Sequence, residues 1–485
     1  MTAALMIQGT GSDVGKSLLV AGIARALSNR GLTVLPFKPQ NMSNNAAVTS
    51  EGGEIGRAQA LQARAARTPL LNDMNPILLK PQSDIGAQII VQGKVWGNAN
   101  AREYQHLKRQ LLPKTLESFK RLQDKADFVI VEGAGSPAEI NLRKNDIANM
   151  GFAEAADIPV LLAGDIDRGG VIAQIVGTHA LLAESEKQRI KGYIINKFRG
   201  DARLFDDGIE ILSAKTGWAN FGVIPFFTDA HKLPPEDAFS ISNKATAKTA
   251  INIAVPVLSR IANFDDLDPL IAEPDVTVHM IKAGTPLPAN MDLIIIPGSK
   301  STIADMAFLR QQGWDTDILA HVRQGGAVMG ICGGYQMLGT GITDPDGIEG
   351  GSRKISGLGL LDFTTKMTGA KKLLEEHGTD TLTHSAIEGY HMHLGDCEGD
   401  ALKRPFLQLM SGPDGIVSAD ARITGCYLHG LFSSDDFRKN FLEKLSPQNR
   451  EILQFENQVE QTLDALANHL EQHLAIDKLL EAARC

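Results

Sequence analysis

Short apolar runs alternating with helical patterns decide what this chain can fold into, and the alternation occurs in two blocks. In the first, "AALMIQG", "LTVLPFK", "ADFVIVEGAGS", "DIPVLLAGDID" and "IKGYIINKF" read as buried strands separated by helices. Apolar strands joined by helices need a mostly parallel sheet covered on both faces. Around residues 228–250 the pattern breaks into the polar stretch "TDAHKLPPEDAFSISNKATAKTA", which reads as a boundary. A second series then begins with "INIAVPVL" and continues through "VTVHMI", "DLIIIPGSKST" and "GAVMGICGGYQML". The expected fold class is therefore α/β with two doubly wound domains, at residues 1–235 and 251–485, and a linker at 236–250. A length of 485 residues suits this, since domains average about 150 residues.

Ligands of such sheets sit at the carboxyl ends of the strands. At the end of the first strand stands "GTGSDVGKS", a glycine-rich turn opening the helix "LLVAGIARALSNRG". Backbone N–H groups there converge on an anion, helped by the partial positive charge of the helix N-terminus. Gly11, Asp13, Val14 and Gly15 would wrap a nucleotide's phosphates, Lys16 would reach the outer ones, and the Ser17 hydroxyl is a hard oxygen donor suited to Mg²⁺. Thr10 occupies the position where the usual phosphate loop has its first glycine. The bland alternative is a glycine turn with an exposed lysine. Lys38, Glu132, Asp165 and Lys197 end or follow the other strands, and Glu132 could share the metal with Ser17. "FKPQNMSNNA" adds Gln40, Asn41, Ser43, Asn44 and Asn45, a dense polar set that serves equally for binding or for capping helices. Arg143, Lys144 and Asp146 in "LRKNDIANM" would ordinarily be a solvated face.

In the second series the run "AVMGI" reaches Cys332 and turns through Gly333 and Gly334 into a helix. Such an elbow exposes the sulfur at a helix N-terminus, whose partial charge favours an anion. His429 ends "ITGCYLH" far downstream and is the candidate base. Either residue alone reads as core; together with the glycine elbow they suit a Cys–His glutaminase. The domain resembles class I glutamine amidotransferases. That resemblance implies an oxyanion hole at Gly298 of "IIIPGSKST" and the N–H of Gly333. The chain departs from that class at Leu431, where the usual pattern has a glutamate two residues after the histidine. A Cys332–His429 dyad is expected, with the group that orients His429 left open.

A formal charge of −9 argues against a nucleic-acid binder. No apolar run approaches the roughly 18 residues of a membrane span, so no membrane partner and a cytoplasmic location are expected. Cys332, Cys397, Cys426 and Cys485 lack paired metal spacing and are expected as free thiols. In the last segment Leu463, Leu466, Leu470 and Leu474 share a helical face. That face is expected to pack on its own domain, with a homodimer seam as the alternative. His469 and His473 lack a third ligand and read as surface histidines.

"GTGSDVGKS" resembles the loop of the dethiobiotin synthetase-like branch of phosphate-loop enzymes, where threonine at this position is normal. "FKPQNMSNN", "VEGAGSPAEINL", "NDIANM", "DIDRGG" and "INKFRGD" resemble, in order, the signature blocks of the cobyric acid synthase family. The resemblance implies ATP- and Mg²⁺-dependent amidation of the b, d, e and g carboxylates of adenosylcobyrinic acid a,c-diamide, with a corrinoid and L-glutamine as substrates. It makes Lys38, Gln40, Asn41, Arg143, Asp146, Arg168 and Lys197 candidates for substrate binding or activation, with Lys144 and Arg199 in the same basic mouth. A second departure is His391 in "EGYHMHLGD", where the family block generally has Glu; His393 matches it. The rival readings are an a,c-diamide synthase and a partition-type ATPase, and the latter leaves Cys332 and His429 without purpose.

Overall fold

The computed structural model describes residues 2–82, 86–235, 250–350, 353–369, 371–447, 451 and 453–484. All of the expected linker except residue 250 lies outside these, as does Cys485. The chain divides into two compact units: Met1–Ser43, Thr49–Leu233 and Gln458–Cys485 in one, Asn44–Val48 and Pro234–Asn457 in the other.

The first unit runs β1 (Ala3–Gly9), α1 (Lys16–Asn29), β2 (Val34–Phe37), β3 (Gln40–Met42), α2 (Ala101–Gln123), β4 (Phe128–Glu132), β5 (Val160–Asp165), β6 (Ile190–Phe198) and β7 (Ala219–Pro225). Its main sheet is parallel, in the order β7-β6-β5-β1-β4-β2. The chain moves out from β1 on one side and then on the other, so the carboxyl end of β1 is the switch point where such sheets open a crevice. Both faces are buried, which accounts for the unbroken apolar strands; Phe37, Phe119 and Phe152 pack with ring centroids 5.3–5.4 Å apart on one of them.

The second unit contains β8 (Ile251–Pro256), β9 (Val276–Ile281), β10 (Leu293–Ile296), β11 (Ala327–Ile331), α3 (Gly333–Leu338), β12 (Ala386–His393), β13 (Ile416–Val417), β14 (Ile423–Cys426) and β15 (Leu428–His429). Its main sheet has the order β9-β8-β10-β11-β14-β13, parallel except for β13. The strand β12 belongs to a separate antiparallel sheet and pairs Tyr390 with His429 of β15.

The C-terminal helix α4 (Phe455–His473) departs from the expected arrangement. From Gln458 on it belongs to the first unit, although the boundary read from the sequence placed it with 251–485. Its buried leucines seat on α1 at Gly22, where an added Cβ would meet Leu470 Cδ1 at 2.5 Å and Leu466 Cγ at 2.9 Å. Its acidic flank answers the arginines of that unit: Arg25, only 2% exposed, reaches Glu460 at 2.6 Å and Asp464 at 2.7 Å, and Arg64 reaches Glu460 at 2.7 Å. A glycine notch and a matching row of charge decide the docking; position along the chain does not. His469 Nε2 lies 2.9 Å from the Pro225 carbonyl and its ring packs on His473, as suits structural histidines. Among the described residues no group of three or more His, Cys, Asp or Glu could hold a metal, and no helix is long and apolar enough to cross a membrane.

Candidate active sites

At the end of β1 the chain turns through residues held in left-handed backbone, Asp13 at φ 57° and Gly15 at φ 92°, before α1 begins at Lys16. An added Cβ on Gly15 would lie 2.4 Å from Asn196 Nδ2, whose N–H donates to the Val14 carbonyl at 2.8 Å; only glycine fits there. Lys16 is 8% exposed and its ammonium donates to the Gly11 carbonyl at 2.9 Å. Glu132 ends β4 almost fully buried, because both faces of the sheet are covered. Its Oε1 accepts from Ser17 Oγ at 2.8 Å and from Lys38 Nζ at 2.9 Å, and its Oε2 from Gln62 Nε2. Three separate chain segments thus converge on one carboxylate beside the loop.

The other candidates in this unit fall into different settings. Lys197, at φ 62°, donates to the Asp13 carbonyl and to Asp165 Oδ2, the latter at 2.8 Å, so it braces the loop from beneath. Arg143 is tied to Glu186 and, at 2.7 Å, to Glu154. Asp146 accepts from the backbone N–H of Ala148, Asn149 and Gly151 at 2.8–3.2 Å. Asn41 Nδ2 donates to Gln59 Oε1 at 3.1 Å, and Gln40 Oε1 accepts from the Tyr104 hydroxyl at 2.6 Å. Arg168 is largely exposed, 3.5 Å from Asp13 Oδ2, and Arg199 is paired with Asp167.

In the second unit, β11 delivers Cys332 at φ 52°, ψ −108°, a strained conformation for a residue with a side chain. The strain is maintained by close packing behind it: an added Cβ on Gly334 would lie 1.9 Å from the Ile296 carbonyl, and one on Gly333 2.9 Å from the Ser299 amide nitrogen. Gly333 is the first residue of α3, so its N–H has no acceptor within the helix. Gly298 borders the same space, since its Cβ would meet His429 Cε1 at 3.2 Å. The Cys332 thiol faces the Met392 carbonyl at 3.7 Å.

His429 is 1% exposed and stacks on Tyr390 at 5.3 Å. Its Nδ1 lies 2.7 Å from Asp266 Oδ2, while Asp266 Oδ1 accepts the Gly430 N–H at 2.6 Å. Burial alone would lower the imidazole's pKa, but the charge of Asp266, the neighbouring Cys332 and the hydrogen bonds to both hold it well above the ordinary value. The sequence reading missed Asp266. In "NFDDLDPL" the spacing of Phe264, Leu267 and Leu270 is that of an amphipathic turn whose acids ordinarily face solvent, and only the fold shows Asp265, Asp266 and Asp268 to be buried. His391 is buried 3.5 Å from Asp414 and 4.0 Å from Glu376, and packs edge-on to His393. His393 stacks on Tyr427 and is pushed down to about 3 by burial and then by the charge of His391, so it stays neutral.

Comparison with known proteins agrees with this division. Residues 5–241 match the CobQ/CobB/MinD/ParA nucleotide-binding domain and residues 252–437 the CobB/CobQ-like glutamine amidotransferase domain. The chain is 57% identical over its whole length to a cobyric acid synthase of Bradyrhizobium diazoefficiens, all of which it covers. It is also 59% identical, over 99% of its own length and all of the relative's, to one from Rhodobacter capsulatus.

Proposed function

Since the chain belongs to the cobyric acid synthase family, we propose that it amidates the b, d, e and g carboxylates of adenosylcobyrinic acid a,c-diamide, with nitrogen drawn from glutamine and ATP as the activating substrate. The observation that carries this reading is the presence in one chain of a phosphate loop with its carboxylate and of a strained cysteine beside a buried histidine.

A carboxylate is a poor electrophile, and transfer of the γ-phosphoryl group of ATP gives it a leaving group that ammonia displaces. The loop amides and Lys16 bind and orient the phosphates, and positioning with charge stabilisation is most of the catalysis in phosphoryl transfer. Mg²⁺ fits the groups present. Ser17 and Glu132 offer hard oxygens, and Gln62 Oε1, on the amide that donates to Glu132, is buried with no donor among the described residues and suits a metal-bound water. Ser17 would hold the ion directly and Glu132 through water, and the bound ion would neutralise phosphate charge. Lys38 keeps Glu132 in place at the strand end. Lys197 and Asn196 hold the loop's shape, while Arg168 and Gln40 are assigned to binding the polycarboxylate.

In the second unit Cys332 passes its proton to His429, forming the imidazolium that the raised pKa of His429 favours, and the sulfur attacks the amide carbon of glutamine as a thiolate. The N–H groups of Gly298 and Gly333 receive the oxyanion, and as it collapses to the glutamyl thioester the C–N bond breaks and ammonia leaves with the proton that His429 returns to the nitrogen. Water then hydrolyses the thioester to glutamate. Asp266 fixes the imidazole so that Nε2 faces the thiol and balances the positive charge that His429 acquires. Domain limits at 1–235 and 251–457, with 458–485 returned to the first domain, accommodate both sites.

Mass spectrometry of adenosylcobyrinic acid a,c-diamide incubated with the protein, ATP, Mg²⁺ and glutamine tests the proposal. Four successive replacements of OH by NH₂ are expected. An unchanged corrin with ATP still hydrolysed would assign the protein another acceptor.

A further inference from the structure

Helix α2 presents Tyr104, Lys108, Leu111, Thr115, Phe119 and Leu122 inward, the stripe on which a helix ordinarily carries apolar side chains. Lys108 is the exception. It is only 8% exposed, and among the described residues its ammonium has neither a hydrogen-bond acceptor nor an ion-pair partner. The stem is covered while the ammonium keeps a solvent-facing side, so an amine placed in this way is open to an anion arriving from outside. Burial pulls Lys108 below the ordinary lysine range, against the opposing charge of Asp146. Asp146 cannot serve as the missing acceptor, because both of its oxygens already receive the N–H groups of Ala148, Asn149 and Gly151.

Two further polar groups lie along the chain of contacts from Lys108. Its Nζ stands 5.6 Å from the centroid of Tyr104. The hydroxyl of the same tyrosine donates to Gln40 Oε1 at 2.6 Å, which fixes the orientation of that amide and leaves its NH₂ with no acceptor among the described residues. Gln40 opens β3 just two residues beyond Lys38, a span of at most about 7 Å of extended chain. Lys38 bonds Glu132, and Glu132 bonds Ser17 of the phosphate loop.

We propose that Lys108 and Gln40, joined by Tyr104, bind a peripheral carboxylate of the corrin and so hold the macrocycle beside the phosphate loop. This rests on the function proposed above and adds to it a substrate contact. A single ammonium with one amide NH₂ suits a planar monoanion, whereas the phosphates of ATP already have the loop amides and Lys16.

The test is the steady-state kinetics of the full-length enzyme with Lys108→Met, read separately for the corrin and for ATP, together with its thermal melt. Loss of a charge-assisted hydrogen bond raises the corrin KM by about tenfold or more, with the ATP KM unchanged. The melting temperature rises or holds, because methionine fills the space without an unpaired charge. Should Lys108→Met fail to fold, Gln40→Leu makes the same measurement, with a smaller rise in corrin KM expected. A folded variant with wild-type corrin KM overturns the assignment, as does one in which ATP binding weakens to the same degree. A wild type that amidates no corrin overturns the proposed function itself, an outcome distinct from a wild type that does so alongside an indistinguishable Lys108→Met.

Discussion

Asp266→Asn is the sharpest probe of the glutaminase site, because the structure leaves asparagine no good arrangement. One carboxylate oxygen faces His429 Nδ1 at 2.7 Å and the other accepts the Gly430 N–H at 2.6 Å. If the new amide turns its oxygen to Gly430, its NH₂ donates to Nδ1. The histidine proton is then driven to Nε2, the nitrogen that must accept the thiol proton. If it turns its oxygen to Nδ1 instead, the NH₂ opposes the Gly430 N–H, leaving two buried donors facing each other. In either case the negative charge that stabilises the imidazolium is gone. Loss of a charge-assisted hydrogen bond in so buried a site is worth about 1.5–3 kcal/mol, or roughly 10–150-fold in rate. The wrong tautomer, where it prevails, extends the loss toward about 10⁴-fold. Glutamate release from glutamine, followed across a pH series, is the assay, with the thermal melt as a folding control. Glutaminase activity within threefold of wild type at every pH would refute the role given to Asp266. The melt carries its own sign. The folded pKa of His429 is raised above the unfolded value, so the stability that Asp266 draws from it is complete below the unfolded pKa of about 6.5 and disappears as pH climbs through the folded value. The gap in melting temperature between wild type and variant should therefore be widest in mild acid and close toward alkaline pH.

Cys332→Ser is expected to abolish glutamine-dependent amidation, with a high concentration of ammonium restoring product; corrin amidation from glutamine at the wild-type rate would remove the nucleophile assignment. Glu132→Gln strips the charge that answers Lys38, and loss of one member of a buried pair costs about 3–5 kcal/mol, so both the melt and ATP hydrolysis should fall together. Gly22→Ala places a methyl against Leu470 and Leu466 and should lower stability by about 1–3 kcal/mol in denaturant titration; no change would mean that α4 does not depend on that notch.

Local chemistry was legible where a single segment supplies it. "GTGSDVGKS" carries its own strand, turn and helix, and the elbow at Cys332 is built by the glycines that follow it, so both could be placed without knowing what packs around them. Contacts between distant segments were not. Asp266 and His429 are 163 residues apart, and hydrophobic periodicity says which face of an element is buried without saying against what. Lys197 shows the same limit in reverse: a lysine at a strand end reads as an open cation, yet its left-handed backbone turns it under the loop onto Asp13 and Asp165.

The charge-bearing groups of the first unit also separate by a physical rule. Arg143, Arg199 and Lys197 each meet a carboxylate of their own unit, and such pairs hold structure. A chain of net charge −9 that binds a polyanionic substrate must keep a few cations from its own acids. Asp146 spends its oxygens on backbone N–H groups and leaves Lys108 with no hydrogen-bond acceptor among the described residues, which is the arrangement that requirement calls for. If Asp146→Asn leaves corrin KM unchanged while Lys108→Met raises it, the cation binds substrate and the acid serves the backbone; a reversed order would show that Asp146, in spite of its saturated oxygens, is the residue that meets the corrin.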